Sequence, residues 1–341
     1  MTRNVFSNIQ NNLAPTQQRS YSICRRFKSI RSKKLILIHH TPHFGDLLDE
    51  YSRGSHGAQR AESMGKVIAI TNQKGGVGKT TTTVNLAASL AMAERKVLVV
   101  DFDPQGNASS ALGVNKDRVK NGENTYRVLI GQKKMSSIVQ PTEMDHLFLA
   151  PTDTDLSGAE IELASAFARE QKLKNALAEV VNDYDYILID SPPSLGLLTI
   201  NALTASDSFL VPLQCEFFSL EGLSQLLHTV GLIKQSLNPR LEHEGILLTM
   251  YDGRNKLSGE VEQEVRNHFG NLVFETTIPR NVKLSECTSF GKPILLYDID
   301  SKGCSAYLNM AKELLTRHQP VAGLTISAPK AEYTEAPAVQ I

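Results

Sequence analysis

The segment TNQKGGVGKTTTT, Thr71 to Thr83, packs three glycines, two lysines and a run of threonines into one short loop. Gly75, Gly76 and Gly78 let the backbone turn so that successive N–H groups face phosphate oxygens, with Val77 between them. Lys79 would neutralise the β- and γ-phosphates of a nucleotide, and the Thr80 hydroxyl, followed by Thr81, would ligate Mg²⁺. The usual phosphate-loop pattern is G-x-x-x-x-G-K-[ST], with its leading glycine at position 73. That position is Gln73, and the next residue is a second lysine, Lys74. Two other segments supply carboxylates. VLVVDFDPQGNAS ends an apolar run in Asp101 and Asp103, and YDYILIDSPPSLG ends another in Asp190. A carboxylate at the end of a buried strand beside a phosphate loop is placed to hold the Mg²⁺ shell, usually through water, which is the role read for Asp190. A second one near the γ-phosphate orients an attacking water. The chemistry these residues outline is Mg²⁺-dependent hydrolysis of a nucleoside triphosphate.

Such a site needs strands to carry the loops and helices to cover the strands. VIAI (67–70), VLVV (97–100), YILI (186–189), FLV (209–211) and GILL (245–248) are short, rich in β-branched residues and apolar on both faces. That is the pattern of parallel strands buried on both sides. Helical patterns separate them. Thr80–Ala93 is rich in Ala and Leu; Leu220, Leu223, Leu227, Val230 and Leu237 recur at spacings of three, four and seven. A further helix is predicted from Ser258, behind an acidic first turn. The alternation predicts an α/β fold, a doubly wound, mostly parallel sheet with helices on both faces.

The 341 residues are 41% hydrophobic and 21% charged with a net charge of zero, so any contact with nucleic acid or membrane must be a local patch. Cys24, Cys215, Cys287 and Cys304 are widely spaced and read as reduced thiols of a cytosolic protein, with no zinc or iron–sulfur motif. The folded domain is expected over residues 64–318. Residues 319–341, rich in Pro, Ala and Thr, read as a disordered tail. Residues 1–63 read as a basic extension outside the fold; residues 1–45 hold eight Lys or Arg and no Asp or Glu. Three readings stay open for it: a transit peptide, an arm attracted to nucleic acid, or sequence upstream of a true start at Met64.

The segments KGGVGKTT, DFDPQGNAS and IDSPPSLG resemble the phosphate loop, the first switch and the second switch of the ParA/Soj chromosome-partitioning ATPases. The likeness continues through LTINALTASD, PLQCEFFSLEGLSQLL, LLTMYDGRNKLS and IPRNVKLSE, and spans Met64 to about Arg317. It implies that Lys74 is the family's signature lysine, which reaches across an ATP-dependent homodimer to the phosphates bound by the other subunit. It implies further that Asp103 positions the hydrolytic water and that Asp101 stands near the metal shell. Pro279 and Asn281 would lie on the adenine side, while Arg254 and Lys283 would contact DNA without sequence preference. Lys283 stands where an arginine is expected, so the charge is kept and the bidentate fork is lost. A ParB-type centromere-binding protein is the implied partner, and a nucleoid-associated, cytoplasmic location in a bacterium the implied setting. The competing relative is MinD, a membrane-associated division-site ATPase. It needs a basic amphipathic C-terminal helix, and the tail QPVAGLTISAPKAEYTEAPAVQI, with its prolines and glutamates, does not encode one. Another paralogue with the same altered loop is the remaining alternative.

Overall fold

The computed structural model describes residues 65–216 and 219–319. The extension assigned to 1–63 and the tail from residue 320 onward lie outside the described residues. Strands β1 (Lys66–Ile70), β2 (Val97–Asp101), β3 (Gln140–Pro141), β4 (Leu147–Ala150), β5 (Tyr186–Asp190), β6 (Ser208–Gln214) and β7 (Glu242–Thr249) form one sheet in the order β3-β4-β2-β5-β1-β6-β7. All neighbours run parallel except β3, which pairs antiparallel with β4 at the edge. The five predicted strands are present, and the doubly wound parallel sheet is the fold observed.

Alternate residues of each central strand feed two separate cores. Val67, Ala69, Leu98, Val100, Ile187 and Ile189 enter one, and Ile68, Ile70, Val97, Val99 and Leu188 enter the other. Burying one such side chain stabilises the fold by roughly 1.5–3 kcal/mol, so strands apolar on both faces are held only where helices cover both sides. Helix α1 (Lys79–Met92) covers the second face and packs against the C-terminal helix α5 (Lys302–Arg317), where the Thr82 hydroxyl meets the Tyr307 hydroxyl at 3.2 Å. Between them in sequence run α2 (Ser219–Ser236), α3 (Lys256–Phe269) and α4 (Val282–Ser289). Helix α3 differs from its prediction. It starts at Lys256, capped by Asn255, whose Oδ1 accepts the Leu257 N–H at 3.1 Å, and no acidic residue lies in its first turn. Asn255 is the stronger cap because it precedes the turn in extended geometry, whereas Ser258 is already helical and buried.

At the amino ends of the strands a buried polar cluster ties the end of α5 to the sheet. Glu244 of β7 receives His318 at 2.8 Å, the Ser208 hydroxyl at 2.7 Å and Lys66 at 3.1 Å. Burial alone would raise the Glu244 carboxyl, but His318, Lys66 and Ser208 outweigh it and hold it at about 2. A depressed carboxyl contributes stability that is complete above its unfolded value near 4.5 and is lost as pH falls toward 2. Glu244→Ala is expected to cost about 1–3 kcal/mol, because the buried Ser208 hydroxyl loses its acceptor and Lys66 and His318 lose their shared counter-charge. Urea denaturation of the variant at pH 7 and pH 3 measures it. The deficit should shrink at the lower pH, and a constant deficit would mean that packing, not charge, is what was lost.

Candidate active site

Strand β1 ends at the centre of the sheet, and its following loop turns over the carboxyl ends of β5 and β6. Gly76 and Gly78 have φ of 74° and 90°, left-handed values that a side chain resists, and Gly78 is the N-cap of α1. A Cβ on Gly75 or Gly76 would meet nothing within 4 Å, so the loop encloses open space rather than packing on protein. The first turn of α1 has no side-chain cap and no acidic residue, leaving its N–H groups and positive dipole end for an anion. Four consecutive threonines are poor helix formers, yet they are held here by tertiary bonds. Thr83 donates to the Asp190 carboxylate at 3.2 Å, and the Thr82 hydroxyl meets that of Tyr307.

Braces from neighbouring strands fix the loop. Asn72 donates to the Pro212 carbonyl of β6 at 2.8 Å and accepts the Lys74 N–H at 3.0 Å. Thr249, closing β7, donates to the Val77 carbonyl at 2.8 Å. Lys79 is buried and its Nζ lies 3.1 Å from the Lys74 carbonyl, which it donates to. Burial pushes the Lys79 amine down, and Asp190 and Asp103 pull it back up. Lysine and both carboxylates therefore share one pocket of field.

Sheet register sets Asp101 directly beside Asp190, each at its strand's last position. Both are fully buried, and burial pushes both carboxyls above the ordinary carboxylate range; the Asp101 charge raises Asp190 further, while the charge that raises Asp101 is that of Asp103. Their surroundings differ. Asp101 Oδ2 accepts the Ser109 N–H and hydroxyl, both at 2.6 Å, and Oδ1 accepts the Asp103 N–H at 3.4 Å. Its carboxylate anchors the turn that carries Asp103. Asp190 Oδ2 is buried with no hydrogen-bond partner. Thr71 Oγ1 and Gln73 Nε2 are likewise buried without partners. Three orphaned polar atoms around one loop mark a site completed by a ligand rich in oxygen. No cluster of three His, Cys, Asp or Glu side chains suited to a metal occurs among the described residues. That donor set fits Mg²⁺, which is bound through one or two protein oxygens plus phosphates and water. Thr80 and Asp190 are the residues that would hold it.

Asp103 is buried at the following turn, its Oδ1 accepting the Gln105 N–H at 3.0 Å. Lys74 points elsewhere. Its Nζ leaves the phosphate cradle and pairs with Glu216 at 2.5 Å, on an exposed face. Tyr251, two residues past β7, bridges to Pro279, which brings the 279–283 turn against the 251–256 turn. Asn281 caps α4 by accepting the Lys283 N–H at 2.8 Å. Arg254 and Lys283, expected at a DNA surface, thus lie on the two turns joined by that bridge, and the exposed Arg280 donates its N–H to the Tyr251 carbonyl at 3.2 Å. Each is paired locally: Arg254 with Asp252 and Lys283 with Glu286, both at 2.9 Å. Such exposed pairs are weak and exchange readily for phosphate.

Sequence reasoning missed Asn72, Thr83, Ser109, Glu216 and Thr249. Thr83 stands one helical turn beyond Thr80, and Glu216 and Thr249 stand at or just past strand carboxyl ends. The rule that ligands gather there could have flagged Glu216 and Thr249. Cys215, Cys287 and Cys304 are free and buried, and burial pushes their thiols to about 11, 11 and 12, which makes them inert. Cys24 lies outside the described residues.

Residues 65–243 match the AAA domain family. The chain is 54% identical over 270 residues to the chromosome partitioning protein ParA of Myxococcus xanthus, covering 79% of this chain and 94% of that one. It is 55% identical over 251 residues to the sporulation initiation inhibitor protein Soj of Bacillus subtilis, covering 74% and 98%. Among solved structures, cobyrinic acid a,c-diamide synthase of Mycobacterium smegmatis with bound ADP and magnesium superposes with a TM-score of 0.64 at 39% identity, covering 74% of this chain and 95% of that one. Identity above one half along nearly the whole of both relatives places this chain in the ParA/Soj family of chromosome-partitioning P-loop ATPases.

Proposed function

We propose that the chain hydrolyses ATP with Mg²⁺ as a nucleotide-sandwich homodimer. In the ATP state it binds duplex DNA without sequence preference and partitions chromosomes or plasmids with a ParB-type partner. The observation that carries this is the division between the two loop lysines. Lys79 is buried in its own cradle and fills the cation role there, while Lys74 is partly exposed and aimed out of it. A cation displayed outside its own site is suited to a second subunit's phosphates, the physics of an arginine finger. Thr80 and Asp190 would hold Mg²⁺, which when bound would neutralise charge on the phosphates. Lys79 turns from the Lys74 carbonyl to the phosphates, Asp103 orients the attacking water, and Lys74 of the partner meets charge on the transferring group. Pro279 and Asn281 remain the proposed adenine side.

DNA affinity follows from the dimer. One Arg254–Lys283 pair neutralises about two phosphates, and two pairs on one rigid surface about four. Affinity for duplex DNA with ATP is then expected to fall about a hundredfold between 50 and 200 mM salt. Arg254→Ala with Lys283→Ala should abolish that binding while the variant still dimerises. Fluorescence anisotropy with unrelated duplexes, with and without ATP, checks this. Binding that ignores nucleotide would defeat the proposal, as would ATP-dependent capture by anionic liposomes in place of DNA. No helix of the described residues is long and apolar enough to cross a membrane.

A further inference from the structure

Lys74 in the single chain already has a partner, and that partner is itself held in place. Glu216 lies just past the end of β6, 142 residues away in sequence, yet its Oε2 takes Lys74 Nζ at 2.5 Å. Its other oxygen, Oε1, accepts the Gln214 side-chain amide at 2.6 Å. Both carboxylate oxygens are therefore engaged, and the amide fixes which way the carboxylate faces. On the loop side, the Lys74 N–H is pinned to Asn72 and its carbonyl receives Lys79. Every polar group of Lys74 is thus satisfied within one chain.

We propose that Glu216, braced by Gln214, is a positioning residue that parks Lys74 in the monomer and must release it before Lys74 can serve the partner's nucleotide. The inference rests on the cross-dimer reading of Lys74 above. A Lys74 side chain that turns across the interface carries its Nζ away from Glu216, so dimer assembly includes an exchange of Glu216 for phosphate. The parked pair is about one third to one half exposed, with side-chain exposures of 36% and 49%. Pairs in that setting are weak, which suits a threshold that the denser negative charge of a triphosphate overcomes and a diphosphate, lacking the γ-group, does not. Glu216 thereby raises the protein concentration at which the dimer forms, and it biases assembly toward the ATP state.

The test is the ATP-dependent dimerisation midpoint of the full chain by sedimentation, for wild type, Glu216→Gln and Gln214→Leu. Freeing Lys74 should lower the midpoint about two- to fivefold in Glu216→Gln, the range expected for an exposed ion pair. Gln214→Leu keeps the charge of Glu216 but removes its brace, and should shift the midpoint the same way by a smaller factor. The diphosphate should promote dimerisation more in both variants than in wild type. An unchanged or weakened dimer in Glu216→Gln overturns the inference, the weakened case making Glu216 a contact of the dimer itself. A shift in Glu216→Gln alone overturns it as well, since that is what simple removal of a negative charge near the nucleotide would do. Wild type that stays monomeric with ATP defeats the dimer reading on which the inference rests, a result distinct from the others.

Discussion

ATP turnover in Lys74→Ala is expected to fall about 10²–10³-fold while nucleotide binding persists, the scale of removing one charge-stabilising donor from a reacting centre. The expectation rests on what stays behind. Lys79, the turn built on Gly76 and Gly78, and the uncapped start of α1 are untouched by the substitution, so the cradle keeps its cation and its N–H groups. Only the Lys74 ammonium is lost, and that group is not in its own cradle. Equilibrium binding of a fluorescent ATP analogue, beside phosphate release, separates the two effects. Normal turnover would show that the second loop lysine is a surface charge. Loss of binding would place it in its own site.

The second large effect is expected at Asp103. Asp103→Ala should lower phosphate release by about 10²–10⁴-fold, the usual reach of a positioned general base, and leave an ATP-bound dimer that persists. The fold should tolerate the change. Asp103 accepts one backbone N–H, from Gln105, and a bond of that kind is worth only about 1 kcal/mol. Its neighbour Asp101 carries the structural load through Ser109, so the turn keeps its anchor. Size-exclusion chromatography with ATP reads the outcome. A stable dimer that does not turn over fits a role on water, whereas a monomer would assign Asp103 to the fold.

These sites were legible to different depths, for physical reasons. Strands β1, β2, β5, β6 and β7 announce themselves because each holds an unbroken apolar run, such as 97–100 and 246–248, that burial on both faces requires. Strand β4 escaped notice because Leu147–Ala150 is only a few residues long and Pro151 follows at once. The helix Lys302–Arg317 hid for another reason: its buried stripe is built from Gly303, Cys304, Ala306, Tyr307 and Met310, which blurs apolar periodicity. The phosphate loop was readable residue by residue, since local spacing sets its chemistry. The distinct duties of Asp101 and Asp190 were not. They depend on register between β2 and β5 and on Ser109, which no spacing rule connects to either. The Lys74–Glu216 contact is likewise invisible until β6 is laid beside the loop.

In the proposed mechanism each active site is completed by Lys74 from the other subunit. Mixing Lys74→Ala protein with Asp103→Ala protein before adding ATP tests it directly. Each variant alone lacks one half of every site. In a mixed dimer, the Lys74→Ala subunit keeps its own Asp103 and receives Lys74 from its Asp103→Ala partner. One complete site results in each mixed dimer. With random pairing and two equivalent sites per symmetric dimer, the equal mixture should regain about a quarter of wild-type phosphate release. If Lys74 served its own subunit, no pairing would rebuild a whole site, and a mixture as inactive as its parts would contradict the account.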